Sequence, residues 1–235
     1  MRILLYALGA ATLLGACSGP EPPVSQSAKQ PAPARQPALT TPDPAACHAF
    51  LRATISLSIQ DHYDVRSDGG AFFSRQPYSL DQRIADKLAP GLDSTTASAY
   101  FLDTPPAVIR EFRRQVLQFD TAAQRRFVWR PELLGQFVFV GSTADTLSPN
   151  LARQVRFVTP ARQEQIRQEI EEWNHGPQQD RFVSYASLPL FSADGRYVLI
   201  VRGQAQQSLG WDSIFIYERQ AQGWKIIDSA RLSTL

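Results

Sequence analysis

The chain has 235 residues, and 24 Lys and Arg against 22 Asp and Glu leave a formal net charge of +2. So even a balance gives no global field toward nucleic acid. With 43% hydrophobic residues the composition is that of an ordinary folded protein, and what distinguishes the chain is where those residues lie.

They lie first at the N-terminus. Arg2 is followed by an almost uninterrupted apolar run over 3–14. That run is too short to span a bilayer, which takes about 20 apolar residues, but it matches the apolar region of a secretory signal. It closes on Leu14-Gly15-Ala16-Cys17. This tetrapeptide resembles the lipobox of bacterial lipoproteins, a branched aliphatic residue and two small ones before a Cys. The resemblance implies a signal peptide over 1–16, cleavage before Cys17, and two or three acyl chains, palmitate among them, on that Cys. Several chains anchor a protein stably where one holds it only marginally. Ser18 follows directly. Relatives that stay in the inner membrane often carry Asp there, so the resemblance implies an outer-membrane anchor with the folded part in the periplasm.

Residues 17–44, rich in Pro, Ser, Ala and Gln after the Cys, cannot bury enough apolar surface to offset ordering entropy. They are expected to form a tether, partly polyproline II. Residues 45–235 then suit one folded domain by length. With Cys17 lipidated, Cys47 stands alone, and its apolar surroundings suggest a packed small hydrophobe.

Asp43 and Pro44 open an expected helix over 45–60, although Ile55, Leu57 and Ile59 also alternate as in a strand. Asp68-Gly69-Gly70 is an expected turn. A short helix over 79–88, capped by Ser79, ends before Pro90-Gly91. Thr104-Pro105-Pro106 starts the next, with Thr104 as its cap. In that helix Val108, Ile109, Phe112 and Val116 share a face. Residues 136–140 and 154–158 are expected strands. Thr159-Pro160 begins a helix with Ile166, Ile170 and Trp173 at i, i+4 and i+7, stopped at His175-Gly176-Pro177.

The last part reads as β-structure, with strands over 181–186, 196–203, 213–219 and 224–228, rich in Val, Ile, Phe and Tyr. Turns at Ala193-Asp194-Gly195 and Ala221-Gln222-Gly223 make successive strands antiparallel. Both faces of 197–201 are apolar, which predicts a central strand covered by helices. The expected fold is α+β, N-terminal helices packed on a C-terminal antiparallel meander.

Leu190-Phe191-Ser192-Ala193-Asp194-Gly195 resembles a blade motif of Tol-type propellers, but a propeller needs several repeats and the chain has one. A wider pattern runs from Ser187-Leu188-Pro189-Leu190 through Gly210 and Tyr217 to Gly223-Trp224-Lys225-Ile226-Ile227. It resembles a group of uncharacterised bacterial envelope lipoproteins with a helical front half and a β-meander ending. Those relatives often carry Cys beside the loop glycine; this chain has Gly210 and no Cys there. The closing strand is also similar to the end of cone-shaped domains of the nuclear transport factor two type, which would imply a ligand pocket.

Chemistry-bearing residues are sparse. His48, His62 and His175 have no metal-ligand spacing. Cys47 and His48 are adjacent, and neighbours on a helix diverge too far to form a nucleophile–base pair. Glu164, Glu169, Glu171 and Glu172 read as the solvated side of a helix. Arg110, Arg113, Arg114, Arg125, Arg126 and Arg130 form a basic cluster that suits anionic lipid, glycan or an acidic partner as well as a solvated face. Catalytic residues, metal and cofactor are therefore expected to be none. The expected function is a lipid-anchored, non-catalytic binding or scaffolding domain with an envelope protein or glycan as partner. A pocket-containing domain, possibly an enzyme, and a component of an envelope assembly stay open as alternatives. The candidate binding segment is the loop from Gly203 to Trp211. There Gln204, Gln206 and Gln207 offer hydrogen bonds, Gly210 allows close approach and Trp211 offers a stacking face.

Overall fold

The computed structural model describes residues 42–55, 71–89, 100–178, 181–205 and 210–234. The lipobox, the turn at Asp68-Gly69-Gly70, His62, Gln206 and Gln207 lie outside them.

The fold is α+β, five helices and one 3-10 turn around a seven-stranded sheet among the described residues. Helix α1 spans Pro44–Thr54 and starts where Asp43 accepts the Ala45 and Ala46 N–H groups. Strand β1 is Phe72–Ser74 and α2 is Gln82–Lys87. The α2 cap is Asp81, which accepts the Arg83 N–H; Ser79, the residue expected there, lies outside the helix. Helix α3 covers Pro106–Leu117 without a side-chain cap. Its expected cap, Thr104, is committed elsewhere: its hydroxyl donates to the Asp228 carboxylate at 2.5 Å, fastening the entry to the helix onto the last strand. Helix α4 is Thr121–Arg126, capped by Asp120. Strand β2 is Val138–Val140.

The strand expected over 154–158 does not form. Ser148 and Pro149 start a 3-10 turn, Pro149–Gln154, and the N–H groups of Arg156 and Phe157 both reach the Gly135 carbonyl and so make no ladder. Val155 is buried, whereas Phe157 is exposed and lies under the Arg52 guanidinium. The alternation mistaken for a strand comes from a bent connection. Helix α5, Pro160–His175, buries Ile166, Ile170 and Trp173 as their spacing predicts.

Strands β3 (Val183–Ala186), β4 (Leu190–Phe191), β5 (Tyr197–Ala205), β6 (Gly210–Gln220) and β7 (Gly223–Thr234) follow. Gly195 and Gly223 take positive φ at the two hairpin turns, as those turn types require. The sheet order is β2-β1-β3-β5-β6-β7, with β4 beside β5. The C-terminal strands pair antiparallel, while β1 is parallel to both β2 and β3. The expected meander is thus one half of a mixed sheet whose other half comes from the helical front of the chain. Strand β1 is too short at three residues to show a period of two, so no sequence signal marks it.

Strand alternation sorts the core. Val198, Ile200, Phe215 and Tyr217 point to one face and pack with Cys47, Phe50, Leu51 and Trp129, under α1. Leu199, Val201, Ile214 and Ile216 point to the other and meet Ile84 and Leu88 around α2 and Phe112 and Val116 of α3. On that second face, over β1 and β2, a separate cluster joins Phe72, Val138, Val140 and Val183 to Ile166, Ile170 and Trp173 of α5. Two helical covers therefore share one sheet face: α2 and α3 over β5 and β6, α5 over β1 and β2. Among the described residues no helix lies between them on this face.

Candidate functional site

On this face of the sheet lies a cleft of about 290 Å³. Its floor follows the alternation of the strands: Ser74 of β1, Val140 of β2, Val183 and Tyr185 of β3 and Ala205 of β5 all face it. Its walls are Gln76, Pro77 and Tyr78 on one side and Gly141, Ser142 and Thr143 on the other. The site lies at the carboxyl ends of the two parallel strands β1 and β2, where open sheets with parallel strands commonly receive ligands.

Both walls are fixed. The Asp145 carboxylate accepts the Gly141 and Ser142 N–H groups at 2.8 and 3.2 Å. Arg181 donates to the Thr143 carbonyl at 2.5 Å and lies over the Trp173 ring. Across the cleft the Tyr78 N–H reaches the Ala186 carbonyl at 2.8 Å, and the Tyr78 carbonyl accepts from the buried Gln124 amide. A site held this way needs little reorganisation on binding.

At its inner end Tyr78 and Tyr185 stack, ring centres 4.9 Å apart and 11° from parallel. The Tyr78 hydroxyl donates to the buried Asp212 carboxylate at 2.7 Å and accepts from Arg83 at 2.8 Å. Arg83 in turn pairs with Asp81. The Tyr185 hydroxyl donates to the Trp211 carbonyl at 3.2 Å. This path crosses Gly203, the cross-strand partner of Tyr185. A Cβ at Gly203 would come within 2.5 Å of the Tyr185 hydroxyl oxygen and would also strike the Trp211 carbonyl. Glycine at this strand position is a requirement of close packing.

Burial, and then the hydrogen bond to Asp212, push the Tyr78 phenol well above its ordinary range; burial, and then the Asp212 charge, do the same for Tyr185. Both phenols keep their protons at neutral pH. They act as hydrogen-bonding hydroxyls and not as bases. The arrangement offers a ligand aromatic surface, the Ser74, Ser142 and Thr143 hydroxyls and the Gln76 amide, with no charged residue in the lining among the described residues.

The segment expected to bind meets this site at its edge. Gln204 and Ala205 belong to β5 and Gly210 and Trp211 to β6, so paired strand replaces much of the expected loop. Ala205 lines the cleft. The Gln204 amide donates to the Ser184 hydroxyl at 3.3 Å on the opposite sheet face. The half-buried Trp211 side chain packs with the α1-side core, and its carbonyl accepts from Tyr185.

The other candidates are structural. Cys47 is buried, and desolvation, with the Asp43 charge, pushes its thiol up to about 12. His48 is buried against Phe127 and Trp129. Its Nε2 accepts the Arg130 N–H at 2.9 Å, which leaves the hydrogen on Nδ1 to donate to the Pro44 carbonyl at 2.6 Å. His175 bonds back to the Glu171 carbonyl. Glu164, Glu169 and Glu171 pair with Arg167 and Arg162 along α5.

Tyr78, Arg83, Tyr185 and Asp212 were not singled out by the sequence reading. Asp212 falls between the expected loop ending at Trp211 and the expected strand from Ser213, a boundary where a carboxylate carries no sign of burial. Comparison with family models, characterised proteins and solved structures returns no match.

Proposed function

We propose that this chain is a lipid-anchored bacterial envelope protein whose folded part is a non-catalytic binding module in the periplasm, most simply on the outer membrane. Its ligand is an uncharged, hydroxyl-rich molecule, a glycan of the envelope, seated in the Tyr78–Tyr185 cleft. The lipobox-like Leu14-Gly15-Ala16-Cys17 supports the anchor. The observation that carries the binding reading is the cleft lining: hydroxyls, an amide and two tyrosine rings, with no charged side chain among the described residues. The serine and threonine hydroxyls and the Gln76 amide can exchange hydrogen bonds with sugar hydroxyls and acetamides, while the tyrosine rings pack against the apolar faces of sugar rings.

The test is a calorimetric titration with a soluble disaccharide fragment of peptidoglycan, with maltose as a control sugar. The reading expects saturable binding of the fragment that weakens at least tenfold in Tyr185→Ala. Absence of binding by both sugars, or binding unaffected by Tyr185→Ala, contradicts it.

A further inference from the structure

The arginine cluster has no part in the cleft. On α5 the arginines are matched: Arg162 pairs with Glu169 and Arg167 with Glu164 and Glu171. Helices α3 and α4 differ. Arg110, Arg114, Arg125, Arg126 and Arg130 are exposed, and none enters an ion pair among the described residues. The two carboxylates of this stretch are engaged otherwise. Glu111 accepts the Ala193 N–H and the Gln115 amide, and Asp120 caps α4. Among the described residues this positive charge therefore has no acidic partner.

Its arrangement on α3 is directional. Ala107, Arg110, Arg114 and Leu117 fall at i, i+3, i+7 and i+10, within one stripe of a 3.6-residue helix. All four are exposed, Leu117 at 49%, whereas Phe112, Gln115 and Val116 on the opposite side are buried. Cations in line with an exposed aliphatic residue suit a bilayer surface, with arginines at the phosphates and the aliphatic group at the acyl boundary.

We infer that the α3 stripe lies on the anionic headgroups of the membrane to which the chain is tethered. The inference rests on the lipid-anchor reading for its proximity argument. About 25 residues separate Cys17 from Pro42, and even fully extended they span at most about 90 Å. The stripe then meets the bilayer at high effective concentration, so weak contacts suffice. Each arginine beside an anionic leaflet changes the surface partition roughly fivefold.

The test uses the full lipidated chain carrying Ala107→Cys with a fluorophore; buried Cys47 and acylated Cys17 do not compete for the label. The chain is reconstituted in phosphatidylcholine vesicles with or without one third phosphatidylglycerol, each doped with a headgroup quencher. Detergent-phase partitioning of the same preparation reads the anchor separately. Quenching is expected on the anionic vesicles alone, lost at 0.5 M salt, and reduced about tenfold or more by Arg110→Glu with Arg114→Glu at unchanged melting temperature. Equal quenching on neutral vesicles, or quenching indifferent to the charge reversal, overturns the inference. So does protection of the label by polyglutamate without approach to lipid, which assigns the stripe to an acidic polypeptide. If the chain partitions into the aqueous phase, the anchor reading fails. The same vesicles added from outside then still decide whether α3 binds anionic lipid.

Discussion

Tyr78 and Asp212, 134 positions apart, meet at 2.7 Å, the phenol donating to a carboxylate that the sheet has buried. The contact ties the wall of the cleft to strand β6. In Tyr78→Phe the stacking surface remains and the donor is lost. The expected cost is about 1–3 kcal/mol of stability, the penalty for withdrawing a hydrogen bond from a buried polar group. Urea denaturation of the two proteins measures it.

The same tyrosines set an alkaline limit. Their pKa values are raised in the folded state above the ordinary value of 10.0, so the folded protein holds these protons more tightly than the unfolded chain does. The contribution is fully present below the unfolded value and declines as pH rises through it toward the folded one. Cys47, raised from 9.0 to about 12, behaves alike from a lower starting point. Melting temperature is expected to fall from about pH 9 upward, with a shallower fall in Cys47→Ala between pH 9 and 10 and in Tyr78→Phe above pH 10.

Gly203→Ala reverses the usual sign. Alanine in a strand ordinarily exceeds glycine in stability, yet here the new methyl group meets the Tyr185 hydroxyl and the Trp211 carbonyl. A loss of about 1–3 kcal/mol is expected from overpacking, together with weaker ligand binding because Tyr185 must move. Gly203→Ala matching the parent in both thermal melting and titration would remove the account of this contact.

Cys17→Ser is expected to move the protein from the detergent phase to the aqueous phase, and mass spectrometry of the native protein to find an acylated N-terminal Cys. An unmodified N-terminus elsewhere removes the anchor and with it the envelope localisation.

Much of the frame was legible in the sequence because it is local. Ile166, Ile170 and Trp173 mark α5 by spacing, Gly195 and Gly223 mark the hairpins, and the doubly apolar run 197–201 marks the central strand. Strand β1 was not legible, since three residues carry no period, and the pattern over 154–158 misled because Val155 and Phe157 alternate without sharing a face. The cleft was least legible. Its tyrosines come from a connection after β1 and from β3, and only the parallel pairing of β1 with β3 brings them together.

The central claim is that an uncharged glycan sits in the Tyr78–Tyr185 cleft. The most direct measurement is a heteronuclear NMR titration of the protein with the peptidoglycan disaccharide fragment. The account predicts saturable shifts concentrated at the amides of residues 74–78, 141–143 and 183–185, all moving with one dissociation constant and absent in Tyr185→Ala. Shifts confined to 204–211 without change at Tyr78 and Tyr185, or none at any concentration, would contradict it.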